Sequence, residues 1–124
     1  MKPIQWNELL LYNLMYNVGK KFPREDYVSN KYLMISDEHK NTFINKVKFI
    51  LNVETHVVLE NGFPYYLNNN IKHYVYWTMN DDIYTAYNNL IKLFKTNNIV
   101  VFQNTMMNKS IQDIEHYQVF VYTE

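Results

Sequence analysis

Apolar residues in the first half of the chain recur near helical spacing. Trp6, Leu9, Leu10, Met15 and Val18 do so between Ile4 and about Val18, and Gly19 stops the run. Lys20 to Ile35 reads as an irregular connector carrying Pro23. Ser36 is a good N-cap, and Asp37 and Glu38 follow in the first turn, where the helix dipole favours acids. The predicted helix runs to about Leu51, with Phe43, Val47, Ile50 and Leu51 on one face and Lys40, Lys46 and Lys48 mostly outside. The period then changes to two. Thr55 to Leu59 reads as a strand, ended by Asn61-Gly62 and Pro64, and Asn68-Asn69-Asn70 makes a loop. Ile71 to Thr78 alternates: Ile71, His73, Val75 and Trp77 face one way, Lys72, Tyr74 and Tyr76 the other. Asn80-Asp81-Asp82 caps a helix bearing Ile83, Tyr87, Leu90 and Phe94, which Asn97-Asn98 closes. Ile99 to Gln103 is a third strand, Asn104 to Asp113 a polar stretch, and Ile114 to Tyr122 a last strand.

This pattern predicts a single α+β domain over residues 1–124. A helical N-terminal part spans 1–51, and a core of mainly antiparallel sheet with helices on one side spans 55–122. Val75, Trp77, Tyr87, Leu90, Phe94 and Val119 are its expected core, because the helix stripe has to cover the sheet.

Composition narrows the function classes. Twelve Lys and Arg balance twelve Asp and Glu, which argues against a nucleic-acid coat or an electrostatic membrane binder. Zero cysteines exclude a disulfide scaffold, a thiol nucleophile and a Cys-ligated zinc site. No apolar run approaches a membrane span and no signal-peptide layout opens the chain, so a soluble, cytoplasmic protein is expected. Without a secretion signal, the glycosylation pattern Asn108-Lys109-Ser110 is discounted. Eighteen Asn, twelve Tyr and eleven Lys, against one Ala and one Arg, are the bias of an A/T-rich genome such as that of a large virus or a protist. Scattered Asn therefore carries little functional information.

The most pointed chemistry lies on the two long strands. His116 and Gln118, two apart on one strand, stand side by side about 6–7 Å from each other between Ile114 and Phe120. His73 has apolar neighbours on another strand, and adjacent strands would bring His73, His116 and Gln118 into one polar cluster. The spacing equally allows each to be a satisfied structural residue or to face solvent. No two His lie within four residues, so no metal site is expected; His39 reads as solvated and His56 has no visible partner. Asp81-Asp82 reads as a helix cap, and the chain has no Walker loop, GxGxxG or GxSxG. The tyrosines could stack bases, but no Lys or Arg cluster accompanies them, so nucleic acid is not an expected partner.

Three stretches together resemble the fungal N-acetylglucosamine-induced protein family, a domain family of unknown biochemical function. Asn61-Gly62-Phe63-Pro64-Tyr65 is similar to its Asn-Asp-aromatic-Pro-Tyr block, with Gly62 replacing the acid. His73 and Trp77 match its His followed four residues later by Trp. Asn104 through Ser110-Ile111 to Ile114-Glu115-His116 resembles its last block, and Trp6-Asn7-Glu8-Leu9 an element near its start. Gln118 stands where members typically have His, and the connector after the central Trp is shorter here.

More distantly, the layout is similar to the histidine-triad superfamily of nucleotide hydrolases and transferases. That resemblance implies a histidine-triad-like core. His116 falls at the nucleophilic His, and Gln118 at the third triad position, where the transferase branch also has Gln. His73 matches the upstream His that helps order the site. Asn104 and Ser110 would line a phosphate pocket, with Asn61 of the Asn-x-x-Pro turn in the substrate-binding set. Ile114 occupies the first position, so the triad is incomplete. The implied reaction is in-line attack of His116 on a phosphoryl or nucleotidyl centre, without cofactor or metal. The partner expected is a small phosphate-containing ligand or nucleotide, with a homodimer left open. Two alternatives stand beside this enzyme: a non-catalytic nucleotide-binding module with a degenerate triad, and a protein-interaction module in which the polar residues only fix the fold.

Overall fold

The computed structural model describes residues 1–105 and 114–124. Its longest strands are β3 (Ile71–Thr78) and β5 (Glu115–Tyr122), which pair antiparallel over eight residues from Ile71 opposite Tyr122 to Thr78 opposite Glu115. β2 (His56–Glu60) joins the other edge of β3, and β4 (Ile99–Asn104) the other edge of β5, both antiparallel. The short β1 (Met15–Val18) adds to β4 in parallel, giving the order β1-β4-β5-β3-β2. The result is an α+β fold on a mostly antiparallel, mixed sheet of five strands.

The helical reading of residues 4–18 needs correction. α1 covers only Trp6–Leu10, started by a reciprocal cap between Gln5 and Glu8. Leu14 and Asn17 then take left-handed backbone angles (φ 63° and 57°) that end any helix. The chain finds its hydrogen bonds on the β4 edge instead: Leu14 N–H donates to the Val101 carbonyl at 2.7 Å, and Val101 N–H donates to Asn13 Oδ1 at 2.9 Å. The N-terminal part is therefore not only helical, since it supplies the fifth strand.

Inside the expected connector lies α2 (Asp26–Leu33), whose one buried residue, Val28, leaves no periodic stripe to read. α3 (Asp37–Leu51) starts where expected, with Ser36 Oγ accepting from His39 N–H at 3.1 Å. α4 (Ile83–Phe94) is capped by Asp82, which accepts from Thr85 N–H at 2.8 Å. It ends on Lys95 in the left-handed region, just before Asn97-Asn98. Among the described residues no helix is long and apolar enough to cross a membrane.

The helices, expected on one side of the sheet, cover both. α4 packs Ile83, Ala86 and Leu90 on Tyr76, Tyr117, Val119, Val121, Ile99 and Val101. On the opposite face α3 sets Val47 and Leu51 against Ile114, Val57, Leu59 and Trp77. Beside them Leu9, Val18, Phe22 and Tyr65 pack on Ile71, Val100, Phe102 and Phe120. The reason is tyrosine. The face of β3 bearing Tyr74 and Tyr76 reads as polar, yet the Tyr76 ring is fully buried and only its hydroxyl needs a partner. Of the expected core, Val75, Leu90 and Val119 are buried, while Trp77, Tyr87 and Phe94 are half-buried.

Candidate functional site

His73 projects from β3 onto the face opposite α4, beside Phe120 of β5. Its ring lies 4.4 Å from the Phe120 ring and 4.6 Å from the Tyr65 ring, and 5% of the residue is exposed. Tyr65 N–H donates to Nδ1 at 3.2 Å, so Nδ1 carries no proton and Nε2 must carry one. Nε2–H in turn donates to Gln118 Oε1 at 2.7 Å. Burial holds the His73 pKa down, to about 3, against the opposing hydrogen bond to Gln118, and the Arg24 charge adds to the lowering. His73 is therefore a neutral, oriented donor at neutral pH rather than an acid or a base. Since its Oε1 is engaged, what Gln118 has to offer a ligand is its amide NH2.

Asn61 closes one side of this arrangement. Its N–H donates to the His73 carbonyl at 2.9 Å, and its Oδ1 accepts Phe63 N–H at 2.7 Å across the turn. Its Nδ2 is thereby left 3.3 Å from His73 Nε2, donor facing donor. Asn104, at the end of β4, lies on the same side and donates from Nδ2 to Tyr65 Oη at 2.9 Å. Its Oδ1 is buried and has no hydrogen-bond partner among the described residues. Burial raises the Tyr65 pKa against that hydrogen bond and the nearby Arg24 charge.

Arg24, the one arginine in the chain, stacks 4.8 Å from the Tyr65 ring centroid and 5.5 Å from that of Tyr32. Its Nε donates to the Phe63 carbonyl at 2.8 Å, tying the start of α2 to the turn after Asn61. Sequence reasoning had no role for Arg24. Its rarity was the one available signal.

His116 shares a strand and a face with Gln118, but across the ladder it faces Trp77 and not His73. The two rings lie 5.0 Å apart, tilted by 32°. His73 stands four residues, about 13 Å, farther along β3 than Trp77. The structure thus joins His73 directly to Gln118, sets Asn61 beside them and links Asn104 through Tyr65. His116 lies beyond Gln118 at the other end of the same row. Gln103 of β4 braces that end, donating from Nε2 to Glu115 Oε2 at 2.8 Å and to the His116 carbonyl at 3.4 Å. The Trp77 indole Nε1–H is buried without an acceptor among the described residues. Ser110 lies outside the described residues.

The remaining histidines sit elsewhere. His39 is exposed at the start of α3. His56 does have a partner that the sequence did not reveal: it stacks on Tyr76 at 4.8 Å, and its Nδ1 is 3.8 Å from Asp81 Oδ2. Asp82 is a helix cap as expected, whereas the Asp81 carboxylate accepts from the Tyr76 hydroxyl. Among the described residues no three His, Cys, Asp or Glu side chains gather as a metal site.

No family model matches this chain, and no curated protein does. Among solved structures, the crystal structure of HTC1 is similar over 83% of this chain and 77% of that one, with a TM-score of 0.49 and 18% identity. A likeness at that level carries neither fold nor function over to this chain.

What the row of residues can do chemically follows from its hydrogen-bond inventory. It offers neutral donors, namely the Gln118 amide and the Trp77 indole N–H, together with the His116 imidazole, while the Asn104 Oδ1 beside them is an acceptor. Neutral N–H donors on one sheet face suit the oxygens of an anion without a positively charged patch.

Proposed function

We propose that this chain binds a nucleotide or related phosphate ester against His116, and acts on it as a metal-independent phosphohydrolase or nucleotidyl transferase with His116 as nucleophile. One observation carries the reading. The Tyr65–His73–Gln118 relay fixes the direction of every hydrogen bond in it, and so presents an oriented amide donor two residues from His116 on one sheet face. Preorganised donors of this kind stabilise charge developing on non-bridging phosphoryl oxygens. His73 is then a positioning residue, acting through Gln118.

In the reaction, an imidazole nitrogen of His116 forms a bond to phosphorus as the phosphorus–oxygen bond to the leaving group breaks. The departing oxygen takes a proton from solvent. Water or a second hydroxyl then attacks phosphorus, the nitrogen–phosphorus bond breaks, and the electron pair returns to the imidazole. In this scheme Asn104 gives the bound oxygens the second hydrogen of its Nδ2, whose first is held by Tyr65 Oη.

A second reading, binding without turnover, has its own support. Neutral His73 and the Gln118 amide hold no proton to give a leaving group at neutral pH. Calorimetry with inorganic phosphate and with nucleotides, on wild type and His116→Ala, tests what the two readings share. Binding that His116→Ala weakens supports a phosphate site, and identical isotherms remove both. Mass spectrometry of products from nucleotides, dinucleotides, nucleoside phosphoramidates and sugar nucleotides then separates them. Turnover that His116→Ala abolishes is expected for the enzyme, and intact substrates throughout leave the binding module.

A further inference from the structure

The His73 end of the row opens into a cleft of about 480 Å3 that the phosphate chemistry leaves unused. Glu25, Tyr27, Glu60, Asn61 and Lys72 line it, with His73 among its walls. Its volume is in the range of small-molecule sites. We propose that this cleft holds the sugar unit, a pentose or hexose, of the phosphate ester, an inference that rests on the phosphate reading above and names its substrate class.

The argument starts with an imbalance of donors. Asn61 Nδ2 faces the protonated Nε2 of His73, and the neighbouring acceptor Gln118 Oε1 is already taken by His73. An oxygen from outside the chain is what this donor lacks. Around it, two carboxylates meet one ammonium, and neither Glu25, Glu60 nor Lys72 is in an ion pair among the described residues. With Arg24 stacked on Tyr65, another wall, these charges balance, so the cleft gives a second phosphate no net attraction, while its carboxylates accept from hydroxyl donors. A sugar hydroxyl answers both demands, since it accepts from Asn61 and donates to a carboxylate.

Tyr27 supplies the apolar complement. It lines the cleft with 62% of its surface exposed and has no ring partner among the described residues. An exposed aromatic face is what the C–H side of a sugar ring covers on binding. The other wall is already braced: Asn68, also lining the cleft, donates to Gln5 Oε1 and accepts from Asn70 N–H. The His73–Gln118 bond joins a wall of this cleft to the amide that the phosphate reading uses.

Saturation-transfer NMR with free D-ribose and D-glucose at millimolar concentration tests the cleft without any phosphate. Tyr27 and Glu60 are exposed, so Tyr27→Ala and Glu60→Gln leave the fold intact, which thermal melts check. Saturation transfer to at least one sugar, reduced several-fold in both variants, is expected. No transfer to either sugar, or equal transfer in both variants, overturns the proposal. Calorimetry of the wild type with inorganic phosphate alone runs alongside. Phosphate binding without sugar binding removes the sugar cleft and spares the phosphate site. Sugar binding that both variants weaken, without phosphate binding, removes the phosphate site instead and leaves the cleft assigned.

Discussion

His73 reads from sequence as one more histidine on an apolar strand, and its neighbours decide what it is. Burial between the Phe120 and Tyr65 rings leaves it neutral, with a pKa of about 3, against the opposing hydrogen bond to Gln118. The folded form therefore takes up a proton far less readily than the unfolded chain, whose His titrates near the usual 6.5. Stability from this group is fully present above that value and is lost as the pH falls toward about 3. His73→Gln keeps a polar side chain but has no such titration. The stability advantage of wild type over His73→Gln, from urea unfolding, should shrink by about 2 kcal/mol between pH 6.5 and 5. A difference that stays constant over this range would mean that His73 is not held neutral by the fold.

α4 shows how much of a helix the pattern of apolar positions reveals. Ile83, Leu90 and the Asp82 cap follow from spacing and capping chemistry, and all three behave as read. Phe94 lies on the same predicted stripe but is only half-buried, packing on Tyr74 at 4.8 Å in the last turn. Leu90, which is fully buried, should cost about 3–5 kcal/mol when truncated to Ala, and Phe94→Ala clearly less. Equal losses in chemical denaturation would mean that the helix end is packed as tightly as its middle. α1 and β1 show the opposite case. A spacing fit to helix across Leu14 loses to the unpaired β4 edge, because backbone groups on a sheet edge are satisfied by any strand that reaches them.

The chain as a whole carries equal numbers of acidic and basic residues, and the proposed anion donors are neutral. Little counterion release accompanies binding to such a site. Phosphate affinity by calorimetry should fall no more than about threefold between 50 and 300 mM NaCl. A drop of an order of magnitude would place the anion on lysines instead.

Alternation within β3 and β5, the capping residues of α3 and α4, and the apolar stripe of α4 are short-range physics, and the sequence alone determined them. So too was the pairing of His116 with Gln118 on one face, because side chains two apart on a strand must share it. The register was not legible: it sets His116 against Trp77 and leaves His73 to reach Gln118 diagonally. It depends on which strands neighbour which, and the pair Ile71 and Tyr122 alone lies 51 residues apart in sequence. The burial of Tyr76, the covering of both sheet faces, the strand inside the expected first helix and the Arg24 clamp on Tyr65 arose in the same way. An amphipathic ring or a lone guanidinium has no fixed side in sequence, and only the surface it packs against decides which part is buried.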